Sequence, residues 1–333
     1  MPKVLIIAEI GNMHEGSVGL ACKIAEAAVS CGADAVKLQT HIFEAESLQN
    51  APSPAYFNSE TRESYFKRTA FSPEQYLEVK KFIESLGAQF ISSPFSIEAI
   101  DLLQKIGLET FKVPSGEVNN LPYLKKIAKI AKKVILSSGM SYQQELDQAV
   151  ETLRDNGCLD LTILQCTSQY PCQPENVGLD QLGELKNRYN LPIGLSDHTM
   201  SLAIPAAAVV LGAQIIEKHF VLSRLMYGSD AKNSLEPAEF KQMVQGIREV
   251  EQALNSSLSK DIITEKVKDM KDIFEKSLVA SKDLAKDTAI SEDCLAYKKP
   301  GDGIKAKDYE RVLGKKLKKD VPQDHKFSWD DLE

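Results

Sequence analysis

The chain has 333 residues, 43% of them hydrophobic and 26% charged, with a formal net charge of −7 at pH 7. These are the proportions of an ordinary globular protein with room for a large core, and the acidic balance argues against nucleic acid as a general partner. No apolar run is long enough to span a membrane, and the start MPKVLIIAEIG lacks the marks of a signal peptide, so a cytoplasmic location is expected.

Taken in order, residues 4–10 are an apolar run that predicts a first strand, with Glu9 breaking it near its end. Residues 17–31 predict a helix with an alanine-rich face, ended by Gly32. Residues 35–39 predict strand two, carrying Lys37 and Gln39. Residues 40–69, with Pro52 and Pro54, read as a long irregular segment. Ser72 and Pro73 open a helix as cap and first turn.

Strand three is expected at 89–93, a helix at 97–106 and strand four at 110–113. A helix at 121–131 and strand five at 134–137 follow. Ser141, with Gln144 three residues on, has the pattern of a capping box. Strand six is expected at 161–165. LPIGL and QIIE, at 191–195 and 214–217, are the last two strands, joined by the helix formers of SLAIPAAAVVLGA. Pro237 opens a final helix to about 254, for which Ser234 and Glu236 are candidate caps.

This strand–helix alternation is the α/β pattern of a (β/α)8 TIM barrel, expected over 1–254. No GxGxxG follows the first strand, which argues against a dinucleotide-binding sheet. Residues 255–273 are polar and read as a linker. Residues 274–333 carry short β-like pieces, at 277–280, 289–290 and 312–314, and read as a small β-rich domain. The cysteines, Cys22, Cys31, Cys158, Cys166, Cys172 and Cys294, form no CxxC pair and are read as packing residues.

Polar residues gather where the strands end: Glu9, Lys37, Gln39, Ser93, Lys112, Ser115, Glu117, Ser137, Ser168, Tyr170, Ser196, His198 and His219. The C-terminal ends of barrel strands meet at one mouth, where barrel enzymes carry their chemistry. His198 and His219 follow consecutive strands and suit one divalent metal that polarises a carbonyl oxygen. Lysines and serine hydroxyls suit a phosphate or carboxylate. Glu9 and Glu117 are candidate acids or bases, and Asp230 follows the last strand closely enough to reach the same mouth.

The stretches AEIGNMHEG, VKLQTH, FISSPFS, FKVPSGEVNN, ILSSGM, QCTSQYP, IGLSDHT, IIEKHF, GSDAKNSLEP and KKPGDGI resemble, in order, those of the sialic acid synthases, which include the legionaminic and pseudaminic acid synthases. The C-terminal part resembles the antifreeze-like (SAF) domain attached to these enzymes. The resemblance implies a metal-dependent condensation of phosphoenolpyruvate with an N-acetylated, mannosamine-like amino sugar, giving a nine-carbon 2-keto-3-deoxy sugar acid and phosphate.

By similarity, His198 and His219 bind the metal, Mn2+ or Mg2+. Ser93, Lys112, Ser115, Ser137, Ser168 and Ser196 match the phosphoenolpyruvate positions. Glu9, Lys37, Gln39, Tyr170 and Asp230 match residues that hold the sugar or serve the reacting centre, and Glu117 matches one that handles water at C2. Lys299 occupies the position of an arginine that reaches the partner's site, implying a domain-swapped homodimer. Met13 and Ser168 stand where the family often has Asn, and Gln165 where sialic acid synthases have His. Another phosphoenolpyruvate-dependent keto-sugar acid synthase, or a non-catalytic sugar-binding barrel, would share the fold.

Overall fold

Strands of a parallel barrel are covered on both faces, by the interior on one side and helices on the other, so they read as unbroken apolar runs. The structure is a computed structural model that describes residues 2–52, 60–256, 259 and 263–333. Its eight such runs are β1 (Leu5–Gly11), β2 (Ala35–Thr40), β3 (Gln89–Pro94), β4 (Thr110–Val113), β5 (Lys133–Ser137), β6 (Leu161–Cys166), β7 (Ile193–Asp197) and β8 (Ile215–His219). They close into a parallel barrel in sequence order, with β1 pairing both β2 and β8. The expected barrel is therefore present. His219 is the last residue of β8 rather than a residue beyond it.

The helices that cover the barrel begin where the local chemistry permits. In α4 (Pro73–Ser85), the Ser72 hydroxyl accepts from the Gln75 N–H while the Gln75 side chain accepts from the Ser72 N–H. The capping box expected at Ser141 is displaced: α7 spans Gln143–Asp155, and Glu145 accepts from the Tyr142 N–H at 2.8 Å. In α10 (Pro237–Asn255), Glu236 is the cap residue and its N–H donates to Glu239. Ser234 instead donates to the Asp230 carbonyl at 2.7 Å and ties down that loop.

The stretch expected to be irregular holds two helices, α2 (Phe43–Glu46) and α3 (Arg62–Thr69); the part around Pro54 lies outside the described residues. Phe43, Tyr65 and Phe66 bury against one another there. That small core makes short helices stable where propensity alone would not.

The chain divides into two compact units, Met1–Ser256 and Ser257–Glu333. The second has its own core, including Leu278, Ile290, Leu317 and Phe327, around the antiparallel pair β9 (Ser277–Ala280) and β10 (Leu295–Lys298). Each such side chain contributes roughly 1.5–3 kcal/mol when fully buried. Of the stretch read as a linker, 257–258 and 260–262 lie outside the described residues, and Glu265–Phe274 is a helix, α11. Val267, Met270 and Phe274 recur at helical spacing, a period masked by the charges between them.

Candidate active site

Along each strand, side chains alternate between the barrel interior and the helices. Ile7, Ala35, Ile91, Ile135, Leu164 and Ile215 form one interior layer. Gly194 leaves that layer room: a Cβ there would lie 2.4 Å from the Ile215 carbonyl and 2.5 Å from Leu164. Two residues further along the same strands come Glu9, Lys37, Ser93, Ser137, Cys166 and Glu217, and two more reach Gln39 and His219. With Lys112 and Ser196 from β4 and β7, these line a cavity of about 420 Å³, a volume suited to small molecules. The loops beyond the strands add Ser115, Ser168, Tyr170, His198 and Asp230 to the lining.

Charge in the cavity is concentrated and paired. Lys37 Nζ lies 2.7 Å from Glu9 and 3.7 Å from Glu217, and donates to Ser93 at 3.2 Å. Lys112 donates to Ser137 at 2.5 Å and lies 4.0 Å from the same Glu217 oxygen. Burial raises the Glu9 pKa beyond what Lys37 restores. It acts on Glu217 too, but there Lys112, Lys37 and the Ser196 hydroxyl prevail and the pKa falls. Both carboxylates thus sit as counter-charges to buried lysines, Glu9 against Lys37 and Glu217 between Lys37 and Lys112. Burial lowers the Lys112 pKa despite Glu217, whereas Glu217 and Glu9 together hold Lys37 as a cation against its burial.

An anion cradle lies beside Lys112. A Cβ on Gly139 would come within 2.6 Å of both the Ser115 and Ser168 hydroxyls and 3.1 Å of the Cys166 sulfur. The missing side chain thus leaves a pocket rimmed by hydroxyl donors. Burial alone would raise the Cys166 thiol pKa, but His198, Lys112 and Ser115 lower it to about 6. Cys166 is thus a polar member of the cavity wall, not the packing residue expected from sequence.

The donor set suits a divalent metal. His198 and His219 have ring centroids 5.4 Å apart. Nδ1 of His198 lies 2.9 Å from the Thr167 carbonyl, which can only accept, so Nδ1 carries a proton and Nε2 is the atom left to face a metal. Nδ1 of His219 is buried without a hydrogen-bond partner, 3.8 Å from Asp230. Burial, then the charges of His198, Lys37 and Lys218, hold His219 neutral, as a metal ligand must be. Among the described residues no larger group of His, Cys, Asp or Glu is arranged around an ion, so the protein itself offers these two imidazoles.

Two expected site residues stand apart. Glu117 is not among the residues lining the cavity, though its neighbours Ser115 and Gly116 are; it accepts from Asn120 at 2.7 Å. Lys299 belongs to the second unit, where its ammonium lies 4.7 Å from the Phe274 ring centroid. Conversely, Glu217, Cys166, His41, Glu46, Arg62 and Tyr65 line the cavity without having been anticipated. Counting back two residues from His219, or on two from Leu164, would have found Glu217 and Cys166. The others come from α2, α3 and the end of β2, which the sequence pattern did not resolve.

The NeuB family pattern matches residues 24–259, and that of the SAF domain matches 275–333. An N,N'-diacetyllegionaminic acid synthase of Campylobacter jejuni is 40% identical over 97% of this chain and 98% of its own length. The N-acetylneuraminate-9-phosphate synthase of Homo sapiens is 35% identical over 96% of this chain and 90% of its own. The crystal structure of the sialic acid synthetase from Leptospira borgpetersenii, in complex with citrate, superposes with a TM-score of 0.69. It covers 80% of this chain and 90% of its own, at 28% identity.

Proposed function

This chain belongs to the NeuB family, and from that premise we propose how its cavity works. The protein condenses phosphoenolpyruvate with an N-acetylated, mannosamine-like amino sugar to give a sialic-acid-type 2-keto-3-deoxy sugar acid and phosphate. One observation supports this most strongly: buried lysines, serine hydroxyls around Gly139 and a neutral, unpartnered imidazole converge on a single cavity.

In our assignment Lys112, Ser115, Ser137, Ser168 and Ser196, with Ser93, hold the phosphate and carboxylate of phosphoenolpyruvate. Their donors replace the water those anionic groups lose. Glu9, Lys37, Gln39, Tyr170 and Asp230 hold the sugar so that its aldehyde carbon faces C3 of the enol. The new carbon–carbon bond leaves negative charge on the former aldehyde oxygen. Glu9, a carboxyl of the cavity wall, is assigned to relay a proton there. Water then adds at C2, and the carbon–oxygen bond to phosphate breaks. Glu117 lies outside the cavity lining, next to Ser115 and Gly116 of its wall, and its assignment to that water requires its side chain to turn toward the cavity when substrate binds.

We assign His198 and His219 as the protein's ligands for Mn2+ or Mg2+. When bound, such an ion polarises the aldehyde and offsets the developing charge. We further propose a cytosolic enzyme working as a domain-swapped homodimer, with Lys299 serving the partner's acceptor pocket.

The test is phosphate release from phosphoenolpyruvate with Mn2+ against a panel of N-acetylmannosamine, 2,4-diacetamido-2,4,6-trideoxymannose, its altrose isomer and arabinose 5-phosphate. Release that depends on one free amino sugar and is lost in His198→Ala supports the proposal and names the acceptor. Release with the sugar phosphate alone refutes it.

A further inference from the structure

His41 lies just past β2 and stacks on two aromatic rings, Phe66 at 3.8 Å and 11° and Phe95 at 4.0 Å and 20°. These contacts fix the plane of the imidazole. Nδ1 is 2.9 Å from each carboxylate oxygen of Glu46, and Nε2 is 3.2 Å from the amide oxygen of Gln39. The Gln39 amide nitrogen donates to Glu9 Oε1 at 2.9 Å, and the other Glu9 oxygen faces Lys37 at 2.7 Å.

Hydrogens can be placed along this chain in one order. Glu9 Oε1 accepts, so the amide nitrogen of Gln39 points to it and the amide oxygen points to His41. An amide oxygen only accepts, so His41 Nε2 carries a proton. A further proton lies between Nδ1 and Glu46, whichever of them holds it. Gly11 completes the picture. A side chain there would come within 2.7 Å of Asp230 Oδ2, 3.4 Å of Gln39 Nε2 and 3.5 Å of Glu9 Oε1. The bare backbone therefore leaves a notch bounded by one amide donor and two carboxylate oxygens.

We propose that His41 is a positioning residue for the acceptor half of the site. Its Nε2–H holds the Gln39 amide with nitrogen toward Glu9 and the notch, so that one N–H donor stands among carboxylate acceptors. This rests on the assignment of Glu9 and Gln39 to the sugar. Without that hydrogen bond the amide is free to turn over. Its oxygen would then face the Glu9 carboxylate and the notch would lose its donor. An acylamino sugar, with hydroxyl and N–H donors and a carbonyl acceptor, depends on that pattern. Phosphoenolpyruvate, held elsewhere in the cavity, does not.

Two variants separate positioning from packing. His41→Phe keeps a stacked ring and loses both ring nitrogens. His41→Gln loses the ring but restores an N–H near Nε2. Positioning predicts that the Phe variant raises KM for the sugar roughly tenfold, about 1.4 kcal/mol. KM for phosphoenolpyruvate should stay within about twofold in both, with the Gln variant nearer wild type. The reverse order, or an equal rise for both substrates, overturns the proposal.

A second readout needs no substrate and so stands apart from the assignment of function. In protein with 15N-labelled histidine, the His41 signal identified by its loss in His41→Phe must show a proton on Nε2. A lone pair on Nε2 overturns the hydrogen-bond order even in an active enzyme. A protonated Nε2 in a protein that turns over no sugar leaves the order intact and refutes the functional assignment instead.

Discussion

The Ser196 hydroxyl donates to Oε1 of Glu217 at 3.0 Å, and that same oxygen lies 3.7 Å from Lys37 and 4.0 Å from Lys112. Glu217 is thus the shared counter-charge of both buried lysines, while its second oxygen is buried without a hydrogen-bond partner. Glu217→Gln leaves positive charge uncompensated, and removing one partner of a buried pair typically costs about 3–5 kcal/mol. Phosphoenolpyruvate would return negative charge to the same place. The variant should have a lower Tm than wild type and a larger rise in Tm when phosphoenolpyruvate is added. Equal ligand-induced shifts would show that Glu217 does not set the charge of this pocket.

Gly139→Ala puts a methyl group where the Ser115 and Ser168 hydroxyls converge. The cradle is then filled and both hydroxyls must turn away. KM for phosphoenolpyruvate should rise at least about tenfold, and the overpacking should cost about 1–3 kcal/mol of stability. Steady-state kinetics and thermal melts on the same sample check both halves.

His14 is fully buried, stacks on Phe71 at 4.2 Å and accepts from the Gly16 N–H. Burial lowers its pKa to about 4, against about 6.5 for a solvated histidine. Between those values the unfolded chain binds a proton that the native state refuses, so this stabilisation is lost as pH falls from 6.5 toward 4. The loss amounts to about 3–4 kcal/mol at most. Urea unfolding across that window should show a shallower decline in His14→Asn than in wild type; parallel curves would contradict the assignment.

Cys166 is the cysteine whose pKa is lowered, to about 6, whereas burial raises those of Cys22, Cys158 and Cys172. The thiolate is the reactive form. Iodoacetamide should label Cys166 first, with a rate that rises through pH 6. Phosphoenolpyruvate should slow the reaction by filling the cradle. Peptide mapping that finds another cysteine labelled first would count against this electrostatic picture.

Much of the barrel was legible because a parallel strand covered on both faces must be apolar along its length. Those runs stood out between helices with recognisable starts such as Ser72-Pro73. The same double burial hid part of the site. With both faces covered, alternation leaves no hydrophobic signature, so in QIIEKH only the two-residue step back from His219 marks Glu217 as pointing inward. His41, Arg62 and Tyr65 escaped for another reason. They stand on or beside helices held by a small aromatic cluster, a tertiary effect that local propensity does not carry. Glu117 illustrates the opposite limit: its place after β4 suggested the cavity, but the turn at Ser115–Glu117 presents Ser115 there and leaves Glu117 against Asn120.

The reaction assigned to the cavity breaks the carbon–oxygen bond of phosphoenolpyruvate, whereas phosphoryl transfer to a sugar would break the phosphorus–oxygen bond. Phosphoenolpyruvate labelled with 18O at the bridging position, supplied with Mn2+ and the active amino sugar, separates the two. Mass spectrometry should find the heavy oxygen in the released phosphate, formed in equal amount with the keto sugar acid. Unlabelled phosphate, or a phosphorylated sugar with no new carbon–carbon bond, would contradict the account.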